Sequence, residues 1–166
     1  TTGLTNVVSI AALRLLGSAI DDNDSISVLG YYAEGDGGGG TFYWDATSTD
    51  TDNGGTIIQA TGVTTGRWIR VYSGSVNVLW FGAKTTTADN STTINTIITL
   101  FYGTKVEIFI PVGVEYDKNL ITDSSSNDIS KKPMLVKEGG VERNTATNLL
   151  PTAEVYSSPV TTPVAN

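Results

Sequence analysis

Carboxylate pairs are the groups in this sequence whose type and spacing could support catalysis. The chain of 166 residues contains no histidine and no cysteine, which excludes imidazole bases, thiolate nucleophiles and zinc sites built on these ligands. Two carboxyl groups can still hydrolyse a glycosidic bond. The best-placed pairs are Asp36 with Asp45, and Glu115 with Asp117, whose spacing of two puts both side chains on one face of a strand. Acidic surfaces bring carboxylates together by chance, so we expect solvated faces and no catalytic residue.

Aromatic side chains are the second group with a chemical use, because a flat ring can stack on the apolar face of a sugar. We therefore predict three candidate glycan contacts, Tyr31, Tyr32 and Tyr43. Other rings occupy strand positions from which they would fill the core of a small sheet. These predicted core residues are Phe42, Trp44, Trp68 and Trp80.

Two arginines, Arg67 and Arg70, flank Trp68 in the sequence. Each could form an ion pair with a nearby acid such as Asp36 or Asp45. We expect these arginines to make structural ion pairs and not to recognise a ligand.

The charge balance excludes several classes of partner. The net charge is −7 and the isoelectric point is near 4.4, so the chain repels nucleic-acid phosphates and anionic membrane surfaces. No apolar run approaches membrane-spanning length. The acidic run Asp21-Asp22-Asn23-Asp24 lacks the glycine and the distal glutamate of a calcium loop, and we expect a turn there. We expect no cofactor, no metal, no nucleic acid and no membrane insertion.

Hydrophobic periodicity predicts a β-rich fold with short helices. The 18 glycines are typical of a chain with many turns. Alternation of apolar and polar residues predicts strands at residues 25–31, 41–45, 56–59, 67–72 and 105–111. Spacings of three and four predict a short helix over residues 9–17 with Ser9 as its cap. A second helix is predicted from Asp89 or Asn90, the candidate caps, to about residue 102.

An ordered set of motifs resembles the N-terminal portion of phage tailspike proteins of the pectate-lyase-like, right-handed β-helix class. Each motif alone is short, and the order of the set carries the resemblance. The motifs are Gly30-Tyr31-Tyr32, the glycines Gly37 to Gly40, Phe42-Tyr43-Trp44-Asp45, Gly66-Arg67-Trp68 and Asn77-Val78-Leu79-Trp80-Phe81-Gly82-Ala83. After Gly-Ala-Lys the family usually continues with Gly-Asp-Gly, whereas this chain continues after Lys84 with Thr85-Thr86-Thr87.

The resemblance implies a mainly β fold in three parts. Residues 1–82 would be a small β-rich anchoring domain with short helices. Residues 83–122 would contain a capping helix and the first strand of a right-handed parallel β-helix. Residues 123–166 would be an extended, irregular polar arm or incomplete β-helix coils. About fifty residues follow Gly113, and the family's catalytic acids lie on later coils, so we expect this chain to lack a depolymerase active site.

The resemblance also implies a function in the virion tail. We expect a structural module that anchors a tailspike or tail fibre to the particle and supports host-cell attachment. Its partners would be two further copies in a homotrimer, other tail or adaptor proteins and, through the full spike, host surface polysaccharide. The alternatives are a truncated polysaccharide depolymerase, either hydrolase or lyase, acting on capsule or O-antigen, and a non-catalytic glycan-binding adhesin.

Overall fold

The protein is mainly β with few short helices. The computed structural model describes residues 6–17, 21–117, 120–121, 133–137 and 141–143. The chain divides into two compact units. The first contains Thr1–Ser73 and Leu79–Gly82, and the second contains Gly74–Val78 and Ala83–Asn166. The chain thus changes unit after residues 73, 78 and 82.

The first unit is built on a five-stranded sheet. Its strands are β1 (Asn6–Val7), β2 (Ser25–Val28), β3 (Gly40–Asp45), β4 (Ile57–Ile58) and β5 (Arg67–Arg70), in the order β1-β2-β3-β5-β4. Strand β1 runs parallel to β2, and the other neighbours are antiparallel. The predicted strands exist but are mostly shorter than the apolar runs that indicated them.

Side chains alternate across β3 as the sequence pattern predicts. Phe42 and Trp44 are buried, and Tyr43 between them lies on the opposite, partly exposed face. Trp44 pairs directly with Trp68 of β5, and their rings meet edge to face with centroids 5.2 Å apart. Phe42, Trp44 and Trp68 therefore form the aromatic centre of the core of the first unit.

Trp80 does not join this core, contrary to the prediction. The apolar run that contains it divides into a two-residue strand, β6 (Val76–Asn77), and a 3-10 helix (Val78–Phe81). Trp80 remains partly exposed, and its indole packs against Tyr72 with ring centroids 5.4 Å apart. The cause is the change of backbone: a residue in a 3-10 turn no longer alternates between two sheet faces.

Helix α1 (Ile10–Arg14) covers the sheet of the first unit. The extended Ser9 caps it, since its hydroxyl accepts a hydrogen bond from the Ala12 N–H at 3.2 Å. Ile10 and Leu13 are buried in the core cluster. The helix is only five residues long, so its stability depends on this packing.

The described part of the second unit contains two parallel sheets and one helix of ten residues. Strands β6, β7 (Glu107–Ile110) and β9 (Met134–Lys137) form one sheet in that order; β8 (Glu115–Asp117) and β10 (Val141–Arg143) form the other. Helix α2 (Ser91–Leu100) buries Ile94, Ile97 and Ile98 and ends two residues before the predicted end.

Part of the predicted C-terminal arm lies outside the described residues. Within residues 123–166 the structure describes Pro133 and the strands β9 and β10. The arm predicted at the end of the chain, residues 144–166, lies wholly outside the described part. Among the described residues, no helix is long and apolar enough to cross a bilayer.

Two leucines of the N-terminal helix region provide a matched test of how α1 is held. Leu13 is fully buried and Leu15 is 75% exposed. Leu13→Ala is expected to lower the free energy of unfolding by about 2–5 kcal/mol, whereas Leu15→Ala should change it by less than about 0.5 kcal/mol. All three tryptophans lie in the first unit, so urea unfolding followed by tryptophan fluorescence measures this unit. Equal effects of the two substitutions would contradict the packing described.

Candidate functional site

The buried guanidinium of Arg70 is the central polar feature of the first unit. Its Nε donates to the Gly55 carbonyl at 2.8 Å, one terminal nitrogen donates to Gly39 O at 2.6 Å, and the other donates to Gly38 O at 2.9 Å. These carbonyls belong to two loops that are distant in sequence. Arg70 therefore fastens the glycine-rich loop before β3 and the turn before β4 to the end of β5.

Aromatic rings cover the Arg70 guanidinium. Its carbon lies 4.5 Å from the centroid of the Phe42 ring and 4.7 Å from that of Trp80. Such cation–π contacts compensate partly for lost hydration. Gly40 is required beside it: its φ is +153°, and a Cβ at that position would overlap a terminal nitrogen of Arg70.

Burial lowers the pKa of Arg70 to about 10. The group still carries a full charge near neutral pH, because it deprotonates only several pH units higher. Among the described residues, its hydrogen-bond partners are carbonyl oxygens. The predicted ion pair with Asp36 or Asp45 is therefore wrong: oriented backbone dipoles, and not carboxylates, hold this charge.

Arg67 also differs from the prediction. Its guanidinium donates to the carbonyls of Asp50, Thr64 and Gly66 at 2.5, 3.2 and 2.7 Å. It thus ties the C-terminal end of the loop between β4 and β5 to the segment before β4. Both guanidiniums are buried and donate to backbone carbonyls.

The observed ion pair joins Arg14 of α1 to Asp52, in a bidentate arrangement. Burial raises the pKa of the Asp52 carboxyl, but hydrogen bonds from Arg14, Gln59 and Gly54 outweigh that effect and lower it below its usual value. The partners are 38 residues apart, and no local motif in the sequence connects them. The sequence alone therefore does not predict this pair.

Asp36 organises the glycine-rich loop. Its Oδ1 accepts the N–H groups of Tyr31 and Gly38, both at 2.8 Å, and its Oδ2 accepts those of Tyr32 and Ala33, at 2.7 and 3.0 Å. Burial acts to raise the pKa of Asp36, but the four backbone donors together lower it. The carboxylate is a turn-forming acceptor, and it is occupied by the loop itself.

Asp45 serves a different turn. Its Oδ1 accepts the hydroxyl and N–H of Thr47 at 2.8 and 2.9 Å, and the N–H of Ser48 at 3.0 Å. The Thr47 hydroxyl bond and these backbone donors lower the pKa of Asp45. Asp36 and Asp45 thus hold separate loops, and the structure does not bring them together as a catalytic pair.

The candidate glycan tyrosines have different surroundings. Tyr32 is 53% exposed, and its hydroxyl donates to Gly82 O at 3.0 Å. Tyr31 packs edge to face against it, with centroids 4.7 Å apart, and also contacts the core. Tyr43 lies partly exposed on the outer sheet face, opposite Ile69 of β5. Their role as glycan contacts stays a prediction.

In the second unit, the two candidate helix caps, Asp89 and Asn90, make different hydrogen bonds. Asn90 occupies the N-cap position of α2, but its side chain makes no capping hydrogen bond to the helix. Its amide instead accepts from Lys84 N at 2.9 Å and donates to the carbonyls of Lys84 and Glu115, both at 2.9 Å. Asp89 accepts the first helical N–H, that of Ser91, at 2.9 Å.

Glu115 and Asp117, the second candidate carboxylate pair, contact the residues at the start of α2. Asp117 is buried, and its backbone N–H donates to the Ser91 hydroxyl at 3.0 Å while its carbonyl accepts from the same hydroxyl. Glu115 is partly buried, and its carbonyl accepts from Asn90. Both residues thus attach β8 to α2 through backbone groups.

No metal centre is present among the residues that the structure describes, since these contain no cluster of three or more acidic, histidine or cysteine side chains suited to an ion. The acidic run at residues 21–24 forms a turn in which Asn23 takes a left-handed φ of +67°. The Asp22 carboxylate accepts the N–H of Ala46 at 3.0 Å.

The chain is similar to proteins of the phage tail. Residues 6–73, which include β1 to β5, match the family of phage tail protein small four-stranded β-sheet domains. Tailspike protein 2 of bacteriophage CBA120, solved as an enzymatically active domain, is 25% identical, with a TM-score of 0.53. The match covers 68% of this chain and 19% of that one.

Two further solved structures share the fold. The enzymatically active domain of CBA120 tailspike protein 4 is 24% identical, with a TM-score of 0.58, over 89% of this chain and 19% of that one. A glycan biofilm modifying enzyme of Pantoea stewartii, with a tailspike-like parallel β-helix fold, is 18% identical, with a TM-score of 0.57. The match covers 70% of this chain and 17% of that one. This chain therefore spans about a fifth of the proteins it matches.

These comparisons confirm the resemblance drawn from the motifs. The chain carries an N-terminal portion of the phage tailspike type. It is a component of the virion tail.

Asp36 accepts hydrogen bonds with both carboxylate oxygens, whereas Asp45 accepts its three bonds with one. Substitution by asparagine should therefore destabilise the fold at Asp36 and not at Asp45. Asparagine retains one acceptor oxygen, so Asp36→Asn would leave two backbone donors facing an NH₂ group and should cost about 1–3 kcal/mol. Asp45→Asn keeps the single oxygen that accepts all three bonds and should be close to neutral. Urea unfolding at pH 7 measures both. A neutral Asp36→Asn would contradict the four-donor arrangement.

The depressed pKa of Asp36 also gives the direction of its pH dependence. A carboxyl with a lowered folded-state pKa stabilises the fold above its ordinary value of about 3.9, and this contribution is lost as pH falls through the folded-state pKa. Wild-type protein should therefore lose stability from about pH 4 downward more steeply than Asp36→Asn. Parallel profiles over that range would contradict the assignment.

Proposed function

We propose that this virion tail component anchors a receptor-binding spike to the phage particle and thereby supports host adsorption. Its contribution would be structural: a folded base on which the rest of a spike stands. The observation that carries the proposal is the way the first unit uses its charges. Arg67, Arg70, Asp36 and Asp45 are all engaged by its own loops, in a domain that matches a phage tail family.

We further propose that the second unit begins a right-handed parallel β-helix. Glu107 of β7 pairs with Met134 of β9, and Glu115 of β8 pairs with Val141 of β10, in parallel. The partners are separated by 27 and 26 residues respectively. Two successive strands thus find parallel partners after nearly the same length of chain, which is the relation between neighbouring coils of a β-helix.

Helix α2 would cap this β-helix. The Asn90 side chain bonds to Glu115 O, and the Ser91 hydroxyl bonds to both backbone groups of Asp117. These contacts fix the start of the helix on β8. A cap at the open end is useful, because unpaired strand edges and exposed coil interiors favour aggregation.

The proposal includes a homotrimer that docks on another tail or adaptor protein. Its support is the resemblance to tailspikes, which implies a threefold spike. Contact with host surface polysaccharide would be made through the full spike, on parts that lie beyond the anchoring module.

A non-catalytic glycan-binding adhesin is the second candidate, and one observation favours it. Tyr32 exposes about half of its surface beside the ring of Tyr31, so an aromatic face is available for a sugar ring. A truncated depolymerase is the third candidate, because solved relatives of this fold are named as enzymatically active domains.

Reconstitution on particles tests the anchoring proposal. Virions of the parent phage that lack this protein are mixed with the purified full chain and sedimented. We expect the chain to co-sediment with these virions, to be excluded from wild-type virions whose positions are filled, and to be trimeric by sedimentation equilibrium. Equal recovery with both kinds of virion, or with neither, would contradict anchoring.

Incubation with capsule or O-antigen from the host separates the alternatives. We expect no release of reducing ends or unsaturated products and no retention on immobilised glycan. Turnover would overturn the structural proposal in favour of a depolymerase. Retention that Tyr32→Ala abolishes, with the fold preserved by circular dichroism, would favour the adhesin. Tyr102→Ala is the control, because Tyr102 is a partly exposed tyrosine outside the candidate glycan contacts.

A further inference from the structure

Residues Leu79–Gly82 belong to the first unit, although the chain on both sides of them belongs to the second. The matched phage tail family covers residues 6–73 and stops short of this segment. The chain thus leaves the first unit after Ser73, returns for four residues and leaves again. Four residues are too few to form a core of their own, so contacts with the rest of the first unit must hold them in place.

The surface that receives the segment is built on glycines. A Cβ at Gly37 would lie 2.6 Å from the Leu79 side chain, and a Cβ at Gly38 would lie 2.7 Å from the Leu79 carbonyl oxygen. A Cβ at Gly55 would overlap the ring of Phe81. Each position is closer than real Cβ contacts permit. Only the absence of side chains there lets Leu79 and Phe81 approach the backbone.

Aromatic and polar contacts complete the docking. The Trp80 ring covers the Arg70 guanidinium and meets Tyr72. The Gly82 carbonyl accepts the Tyr32 hydroxyl, and a Cβ at Gly82 would lie 2.8 Å from that oxygen. All four residues of the segment therefore have a fitted contact on the first unit.

We infer that Leu79–Gly82 is a clasp: an internal peptide ligand that binds the glycine-lined surface of the first unit and completes it. The folded domain would extend beyond the matched family region to Gly82. This inference stands whether or not the chain anchors a spike.

Gly55 and Phe81 allow the clasp to be tested in the full chain by a double-mutant cycle. Gly55 does not have a left-handed φ, so Gly55→Ala introduces the ring overlap without backbone strain. Hydrogen exchange measured by mass spectrometry should show about tenfold less protection at residues 79–82. Gly17→Ala is the control, because a Cβ there meets nothing within 4 Å, and it should leave this protection unchanged.

Phe81→Ala removes the ring that the new methyl group would meet. If Phe81 docks on Gly55, the double variant should lose no more protection than Phe81→Ala alone, since the two residues share one contact. Protection of β3 should persist in all variants, which separates clasp opening from unfolding. Additive losses, or unchanged protection in Phe81→Ala, would overturn the inference. If Gly55→Ala fails to fold, the comparison of Phe81→Ala with wild type still decides.

Discussion

The buried charge of Arg70 is the constraint on which the first unit depends. A guanidinium that loses water must regain its hydrogen bonds from the protein, since an unpaired buried charge costs several kcal/mol. Here the carbonyls of Gly38, Gly39 and Gly55 and the faces of Phe42 and Trp80 replace that water. Two loops and the 3-10 segment must therefore converge on one side chain. Arginine suits this role because its planar fork presents several donors in fixed directions.

The other charged residues of the first unit also serve its internal structure. Its conspicuous polar residues, which in isolation resemble catalytic or binding groups, are used to hold loops with little regular structure. Asp36 gathers four N–H groups in one glycine-rich loop, and Asp52 joins the turn before β4 to α1. The proposed anchoring role follows from this use of charge together with the family match.

Local features of the fold could be predicted from the sequence, and long-range polar contacts could not. Alternation placed Phe42 and Trp44 on the buried face, and spacing placed Ile94, Ile97 and Ile98 on the buried side of α2. These patterns depend only on the geometry of one strand or one helix. The partners of Arg70 are backbone carbonyls 15 to 32 residues away. Every residue has a carbonyl, so no side-chain pattern identifies the ones that are used.

Trp80 and the side chain of Asn90 differ from the local expectation for a related reason. An apolar run of six residues is compatible with a strand or a buried turn, and here residues 76–81 form a two-residue strand and a 3-10 helix. Asn90 has the right type and place for a cap, but a tertiary contact with Glu115 engages its amide. In both cases the local sequence allows more than one conformation or contact, and tertiary contacts select the one that is observed.

Replacement of Arg70 by lysine tests the central claim most directly. Lysine keeps the positive charge but lacks the planar fork that reaches three carbonyls at once. If Arg70 organises the unit, Arg70→Lys should lower its free energy of unfolding by about 2–4 kcal/mol, measured by tryptophan fluorescence in urea. A loss below about 0.5 kcal/mol, the usual effect of a surface substitution, would show that the loops hold their positions without this arginine and would contradict the account.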